Sequence, residues 1–542
     1  MVRRVPGFGG CAGAVLALCL SLTPSLLPRH WALQGVLSGI TMGFGYGAGA
    51  AAGALARALW PGRPIAVRWR WPALAGVGLP LAVTFLWLGG SWQREVRALV
   101  GVDEAAGWHP VPVGLLAVAV WLGLLAAGRA VRLGTRALAA TFGRYSPRPV
   151  AAVAAVGVVA ALTAGVGQQL VGSGFVETAE RLAAAANQDT PAGVVRPDSR
   201  YVSGGPGSLV PWPTLGRYGR QFTAGAVPVP ALAGFGGGPV RPPVRVYVGR
   251  DSAPDLAGQA RLAVRELERT GGFDRSVLVL VATTGTGWVN PAVPAAVEYL
   301  SGGDSAVVAM QYSYLPSWIS FLADRSGAAA GAGALVDAIR TELATRPAGD
   351  RPRLAVYGES LGARGLELTF QDLVGLRAGT DAALLAGPPH TNPIWQELVA
   401  QREPDSPVWR PARPAGETVW FGQSSADLIG AGRPAPEVVY LQNATDPVVW
   451  WSPELLWREP EWLAGGSGAG ARGPDVSGSV RWFPVVTFWQ VTVDLVTSTQ
   501  VPSGHGHSYH GSVADGWAAL LAPPGWTGAD TARLRAELAG SA

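Results

Sequence analysis

Long uninterrupted apolar runs fill the first third of the chain, and shorter ones alternate with polar, helix-period segments over the rest. Five long runs, at residues 8–27, 33–58, 72–90, 111–131 and 150–171, approach the ~20 apolar residues a helix needs to cross ~30 Å of hydrocarbon. The pattern predicts an all-α transmembrane domain of about five helices over residues 1–171. Residues 172–243 are polar and rich in Gly and Pro, and read as a linker and irregular entry segment.

From residue 244 the period changes. Val244–Val248 reads as a strand and 255–270 as an amphipathic helix. Val277–Ala282, Ala306–Met310, Leu354–Tyr357, Ala382–Ala386 and Val438–Leu441 are short, continuous apolar strands of the kind buried on both faces. Helical stretches at about 294–300, 328–345 and 363–371 lie between them. Alternation of this kind predicts one α/β domain over 244–542, a mostly parallel sheet with helices on both faces. The long stretch at about 388–435 reads as a cap-like insertion.

Charge sharpens the membrane reading. Residues 1–150 hold 14 Arg and 3 acids, a balance of +11, while the remainder is −6. The net charge of +5 thus belongs to the apolar third, which makes nucleic acid a poor explanation for it. Eleven of those Arg precede run 1 or lie between runs 2 and 3 or 4 and 5, and three lie in the alternate connections. The positive-inside rule then puts the N-terminus in the cytoplasm. An odd number of crossings places the α/β domain outside. A cleaved signal peptide at run 1 is disfavoured by the four runs that follow it. No Asp, Glu or Lys sits mid-run, which weighs against an ion path. Gly35, Gly39, Gly43 and Gly47 recur every four residues in run 2 and suit close packing against a neighbouring helix or a second copy in a homo-oligomer. Both cysteines, Cys11 and Cys19, fall in run 1, so no disulfide framework is expected in the α/β domain.

One motif carries chemistry. Gly358-Glu-Ser-Leu-Gly362 places Ser360 between an apolar strand and a helix, where a sharp turn lifts the hydroxyl to the carboxyl edge of the sheet. A serine needs a base, and a carboxylate must orient that base. Three of the six histidines cluster in Ser503-Gly-His-Gly-His-Ser-Tyr-His510 near the C-terminus. His507 is favoured, His505 is the alternative, and His510 is a distant third. Asp446, in Asn443-Ala-Thr-Asp446 after a strand, gives the order Ser…Asp…His, with Asp427 and Asp494 as rivals. The His-x-His pair also has the look of a metal site, but no carboxylate or Cys partner stands beside it in sequence. Two oxyanion-hole N–H groups are expected, one from Leu361 and one from the loop Thr283–Gly287, at Thr284 or Gly285. Neither a P-loop nor a dinucleotide fingerprint occurs, so no cofactor is expected.

The Gly-Glu-Ser-Leu-Gly turn, the Asn-Ala-Thr-Asp-Pro-Val segment, the Pro-Ser-Gly-His-Gly-His-Ser-Tyr loop and the Ser21-Leu-Thr-Pro-Ser-Leu-Leu-Pro-Arg29 junction together resemble a family of actinobacterial integral membrane proteins. These pair a multi-span N-terminal domain with an α/β-hydrolase domain. The resemblance spans nearly the whole chain and implies an α/β-hydrolase fold with a Ser360/Asp446/His507 triad. It supplies no substrate. Trp450, Trp451, Trp457 and Trp462, with Trp395, Trp409 and Trp420, suit a lid over acyl chains or a membrane interface. The expectation is a membrane-anchored serine hydrolase acting on acyl esters or thioesters of envelope lipids, its partners being the bilayer and that substrate. An extracytoplasmic acyltransferase with the same triad and a non-catalytic membrane scaffold are the competing readings.

Overall fold

The computed structural model describes residues 7–59, 67–103, 109–167, 174–236, 238–316, 319–320, 326–414, 416–428, 434–463 and 472–540. Arg63, Glu104 and the far end of the run at 150–171 lie outside them. The chain forms two compact units, Met1–Gly174 with Trp451–Pro502, and Phe175–Trp450 with Ser503–Ala542.

In the first unit, helices stand on all five apolar runs. They are α1 (Phe8–Ser21), α2 (Trp31–Leu59), α3 (Val67–Ala73) passing through a π turn into α4 (Leu79–Leu99), α5 (Pro110–Phe142) and α6 (Arg148–Gly167). Among the described residues, two stretches, Trp69–Leu99 and Pro110–Phe142, are long and apolar enough to cross a membrane. This corrects the expected five spans. With 14 residues, α1 reaches only about 21 Å at 1.5 Å per residue. In α2 the apolar character is diluted by Gly35, Gly39, Gly43, Gly45, Gly47, Gly49 and Gly53. The odd-number argument for placing the α/β domain outside loses its footing with the count.

The glycines of α2 have two uses. A Cβ on Gly35 would sit 2.9 Å from the Leu116 side chain, one on Gly39 would sit 2.8 Å from Ala117 O, and one on Gly43 would sit 3.1 Å from Leu124, all on α5. The predicted stripe therefore packs within the chain, while Gly47 meets nothing within 4 Å. On another side, Gly45 and Gly49 lie so close to Gly13 and Gly9 of α1 that any Cβ would collide with the facing carbonyls. Small residues four apart bring two helix backbones together, the packing suited to an apolar solvent.

Residues 451–502 belong to this unit, and polar groups hold them there. Asp494, on the helix Val486–Thr497, is fully buried. Its Oδ1 accepts from Arg29 Nε at 2.8 Å, and its Oδ2 accepts from Ser25 Oγ at 2.6 Å and Leu26 N at 3.2 Å. Arg29 Nη1 donates to Gln34 Oε1 at 3.0 Å, Gln34 donates to Ser21 O, and Gln490 donates to Thr23 O. The Ser-Leu-Thr-Pro-Ser-Leu-Leu-Pro-Arg junction between α1 and α2 is thus the receptor for that helix. Asp494 is not available as a catalytic acid.

The second unit is built on seven parallel strands in the order β1-β3-β2-β4-β5-β7-β6. They are β1 (Val244–Val248), β2 (Val277–Ala282), β3 (Ser305–Met310), β4 (Arg353–Glu359), β5 (Ala382–Ala386), β6 (Val419–Gly422) and β7 (Val438–Leu441). Strands β1, β2, β3, β5, β6 and β7 are buried at every residue, as continuous apolar runs require when helices cover both faces. Each predicted strand is present. The addition is β6, an edge strand inside the stretch expected to be a cap. Trp395, Trp409, Trp420 and Trp450, read as lid residues, are instead buried core.

The entry segment is also more than a linker. Residues from Phe175 on belong to this unit. Ser203 N bonds Arg245 O on β1, and Val227 N donates to Glu298 at 2.9 Å. Glu298 itself holds the buried guanidinium of Arg245 through two hydrogen bonds of 2.5 and 2.9 Å. This bidentate pair satisfies both charges away from water, the condition under which such burial is tolerated.

Candidate active site

Strand β4 ends at Glu359 and the helix Leu361–Phe370 begins two residues later, so Ser360 alone makes the turn. Its φ of 57° and ψ of −120° lie in a region that L side chains rarely adopt, and the cost is of order 1–3 kcal/mol. Packing imposes it. Ser360 N donates to Ala386 O on β5 at 2.9 Å, and both flanking glycines are required by their neighbours. A Cβ on Gly358 would lie 2.5 Å from Ala363 N, and one on Gly362 would collide with Ala282 O at the end of β2. The motif's spacing is thus explained by the closeness of the helix to β2 and β4.

Asp446 follows β7 in a turn closed by Asp446 N donating to Asn443 O at 3.1 Å. Its Oδ1 accepts from Val448 N at 2.8 Å, and its Oδ2 lies 2.7 Å from His507 Nδ1. The structure therefore brings together Asp446 and His507. His507 Nε2, the far side of the same ring, is buried with no hydrogen-bond partner among the described residues. Ala386, which receives the Ser360 N–H, is followed by Gly387 at φ 52°, where any Cβ would strike the His507 ring. A bare backbone at that one position lets the histidine settle beside the strand end that receives the Ser360 N–H.

The other sequence candidates lie elsewhere. His505 O closes a turn with Ser508 N at 3.2 Å. His510 Nδ1 lies 3.2 Å from Asn290 Oδ1. Asp427 accepts from Gln423 N and Ser424 N and pairs with Arg410 at 2.9 Å. No group of three or more His, Cys, Asp or Glu side chains placed to hold a metal occurs among the described residues.

Gly362 abuts Ala282 and Thr283, where β2 passes into the loop Thr283–Gly287. Leu361, buried, opens the helix directly after Ser360. Within the loop, Thr284 N turns back toward Trp288 O at 3.5 Å, and Gly285 is enclosed by Leu315 O and Ser320 Oγ. Tyr247 Oη donates to Gly287 O at 2.7 Å and Gln311 Nε2 to Thr286 O at 2.9 Å, which fixes the loop's far end.

Sequence reading missed the groups that hold the acid and base loops together. Asn443 Nδ2 donates to Gly506 O at 2.9 Å and Ser508 O at 3.3 Å, and Gly506 N donates to Thr445 Oγ1 at 3.0 Å. Tyr509 Oη donates to Asp446 Oδ2 at 2.6 Å and accepts from Asn443 N at 3.1 Å. Glu359 was also missed. It is buried beside Ser360, accepting from Tyr357 Oη at 2.5 Å and Asn290 Nδ2 at 3.2 Å. The only sequence signal for these groups was their position inside the Asn-Ala-Thr-Asp, His-Ser-Tyr and Gly-Glu-Ser-Leu-Gly segments.

The electrostatics follow from burial and charge. Burial alone would lower the His507 pKa, but the Asp446 carboxylate against Nδ1, with Glu359 assisting, holds it above the usual 6.5. Burial raises Glu359 above the ordinary carboxylate range, and the charge of His507 with the two donors offsets part of that rise. On the helix after Ser360, burial pushes Glu367 up to about 7 against hydrogen bonds from Asn392, Trp395 N, Tyr440 and Ile394 N.

Ser360 thus stands strained at a strand-to-helix turn, at the carboxyl ends of a parallel sheet. Residues 244–534 match the model of the alpha/beta-hydrolase family, and residues 22–226 match that of the same family's N-terminus. No curated protein and no solved structure matches the chain. The chain belongs to the α/β-hydrolase family.

Proposed function

We propose that this protein is a membrane-attached serine hydrolase that cleaves acyl esters or thioesters through Ser360, His507 and Asp446. The observation that carries the reading is the left-handed backbone at Ser360, next to a histidine already bonded to a buried aspartate. Structural strain of that kind persists where function needs it.

In this mechanism His507 Nε2 takes the Ser360 proton as Oγ attacks the acyl carbon. Asp446 holds the Nδ1–H and stabilises the imidazolium. The Leu361 N–H and the N–H of Thr284 or Gly285 receive the charge developing on the carbonyl oxygen. The imidazolium then protonates the leaving alcohol or thiol. Water, activated by the same Nε2, releases the acid from the acyl-enzyme. Each step uses a group in the second unit and none requires a cofactor.

A lipid ester is the proposed substrate class, supported by the two helices of membrane-crossing length in the same chain. An even number of crossings returns the hydrolase unit to the side of the N-terminus, and an odd number delivers it to the other. A membrane-impermeant serine probe on intact cells distinguishes the two.

The test of the activity is hydrolysis of a series of acyl esters, from acetyl to palmitoyl, by detergent-solubilised full-length protein. Wild type is expected to hydrolyse the longer members, and Ser360→Ala to lose about 10³-fold or more in kcat. Folded wild-type protein that cleaves no member of the series contradicts the reading and favours a membrane scaffold.

A further inference from the structure

Asp446 Oδ2 carries two hydrogen bonds, a distribution the catalytic roles above do not explain. One is from His507 Nδ1 at 2.7 Å and the other from Tyr509 Oη at 2.6 Å. The tyrosine is buried, and its hydroxyl also accepts from Asn443 N, so its single proton is committed to the aspartate. Its ring stands edge-on to the His507 ring, with centroids 5.5 Å apart and planes at 88°. Gly387 lies against both rings. One side chain therefore touches the acid through its hydroxyl and the base through its ring.

We propose that Tyr509 is a positioning residue that fixes the Asp446–His507 pair and, by sharing Asp446 Oδ2, sets how strongly the aspartate draws positive charge onto the histidine. This rests on the serine-hydrolase reading of the same site. The physical argument is one of competition. A carboxylate oxygen that accepts from two donors presents less charge to each, and removing one donor concentrates its field on the other. The ionisable groups around His507 are Asp446 and Glu359, with Tyr509 and Tyr357 as neutral donors to those two carboxylates. Burial together with Asp446 holds the Tyr509 phenol well above its ordinary range, so it remains a donor throughout the working pH range. The ring contact serves a separate purpose, limiting rotation of the imidazole about its Cβ–Cγ bond.

The test is the pH dependence of the rate at which a fluorophosphonate probe acylates Ser360 in the full-length, detergent-solubilised protein. Tyr509→Phe keeps the ring and removes the hydroxyl. The midpoint of its rate profile is expected to move up by about 0.5–1 unit, with a plateau rate lowered about tenfold as the aspartate loses a fixed contact. Site-specific replacement of Tyr509 by a difluorotyrosine keeps the shape and strengthens the donor, and its midpoint is expected to move down. Opposite shifts from two variants of nearly the same volume are not produced by packing alone. Unchanged midpoints in both variants, with wild type labelling normally, overturn the role of Tyr509 and leave the hydrolase reading intact. The difluorotyrosine protein decides the question by itself if Tyr509→Phe fails to fold. Wild type that takes no probe overturns the hydrolase reading and this role together.

Discussion

Replacing Asp494 by Asn removes one negative charge from a site where Arg29 and Asp494 are both fully buried. The carboxylate accepts three hydrogen bonds, from Arg29 Nε, Ser25 Oγ and Leu26 N. An amide can accept on only one atom, so its NH₂ must face at least one of those donors. More important, the Arg29 guanidinium is left facing neutral oxygens alone, that of Gln34 and at best that of the new amide. Breaking a buried pair by removing one partner costs about 3–5 kcal/mol, because the charge left behind has neither water nor a counterion. Against a total stability of roughly 5–15 kcal/mol this is a large fraction. At 1.4 kcal/mol per tenfold, the helix Val486–Thr497 should spend roughly 10²- to 4 × 10³-fold more of its time released from its seat.

Two assays read that release. Thermal unfolding in detergent should shift down by about 6–20 °C, taking 2–4 °C per kcal/mol for a unit of this size. Limited trypsinolysis should cut at the exposed Arg458 and Arg481, which flank the released helix on its N-terminal side, in the variant and not in wild type. The paired substitution Arg29→Met with Asp494→Leu removes both charges and should recover most of the loss. An Asp494→Asn protein with wild-type melting and wild-type trypsin resistance refutes the reasoning. So does a double variant no more stable than Asp494→Asn alone.

Because Asp446 holds His507 protonated to a higher pH than a free imidazole, the base is absent at low pH. The acylation rate of wild-type Ser360 should therefore rise with pH through a midpoint above 6.5, and a midpoint at or below 6.5 contradicts the assigned pair. Gly362→Ala places a methyl against Ala282 O and must push the nucleophile helix off β2; probe labelling should fall at least tenfold, whereas Gly47→Ala on α2, which meets nothing within 4 Å, should leave it unchanged. Glu367→Gln turns an NH₂ toward one pair of donors, either Asn392 and Tyr440 or Ile394 N and Trp395 N, and should destabilise the protein by about 1–3 kcal/mol in a denaturant titration.

Much of the hydrolase unit could be read from sequence because the physics there is local. A parallel strand buried on both faces must be a continuous apolar run, and six of the seven strands announced themselves in that way. The Gly-Glu-Ser-Leu-Gly turn was legible because steric constraints at Gly358 and Gly362 restrict the residue type directly. The edge strand β6 escaped because Val419–Gly422 is four residues long and set in a Pro- and Arg-rich stretch without periodicity. The partners of the acid and base escaped for another reason. Tyr509 and Asn443 act through contacts 63 and 66 residues along the chain, which leave no local pattern. Arg29 and Asp494 are 465 residues apart, so the burial of an arginine counted as a loop charge was beyond any window. The apolar runs at the N-terminus were correctly seen as helices, but an apolar run does not report its own length as a helix. Nor does it show how far glycine dilutes it, which is why α1 and α2 fall short of the spans expected of them. The same glycines show the gain: α2 can lie against α1 on one side and α5 on another only because it lacks side chains on both.

The central claim is that Ser360 is an activated nucleophile. It is tested most directly by reacting the full-length protein in its native membranes with a fluorophosphonate and locating the adduct by peptide mass spectrometry. The account predicts a single adduct on Ser360, absent from Ser360→Ala and from His507→Ala. Folded wild-type protein that carries no adduct, or carries it on another serine, contradicts it.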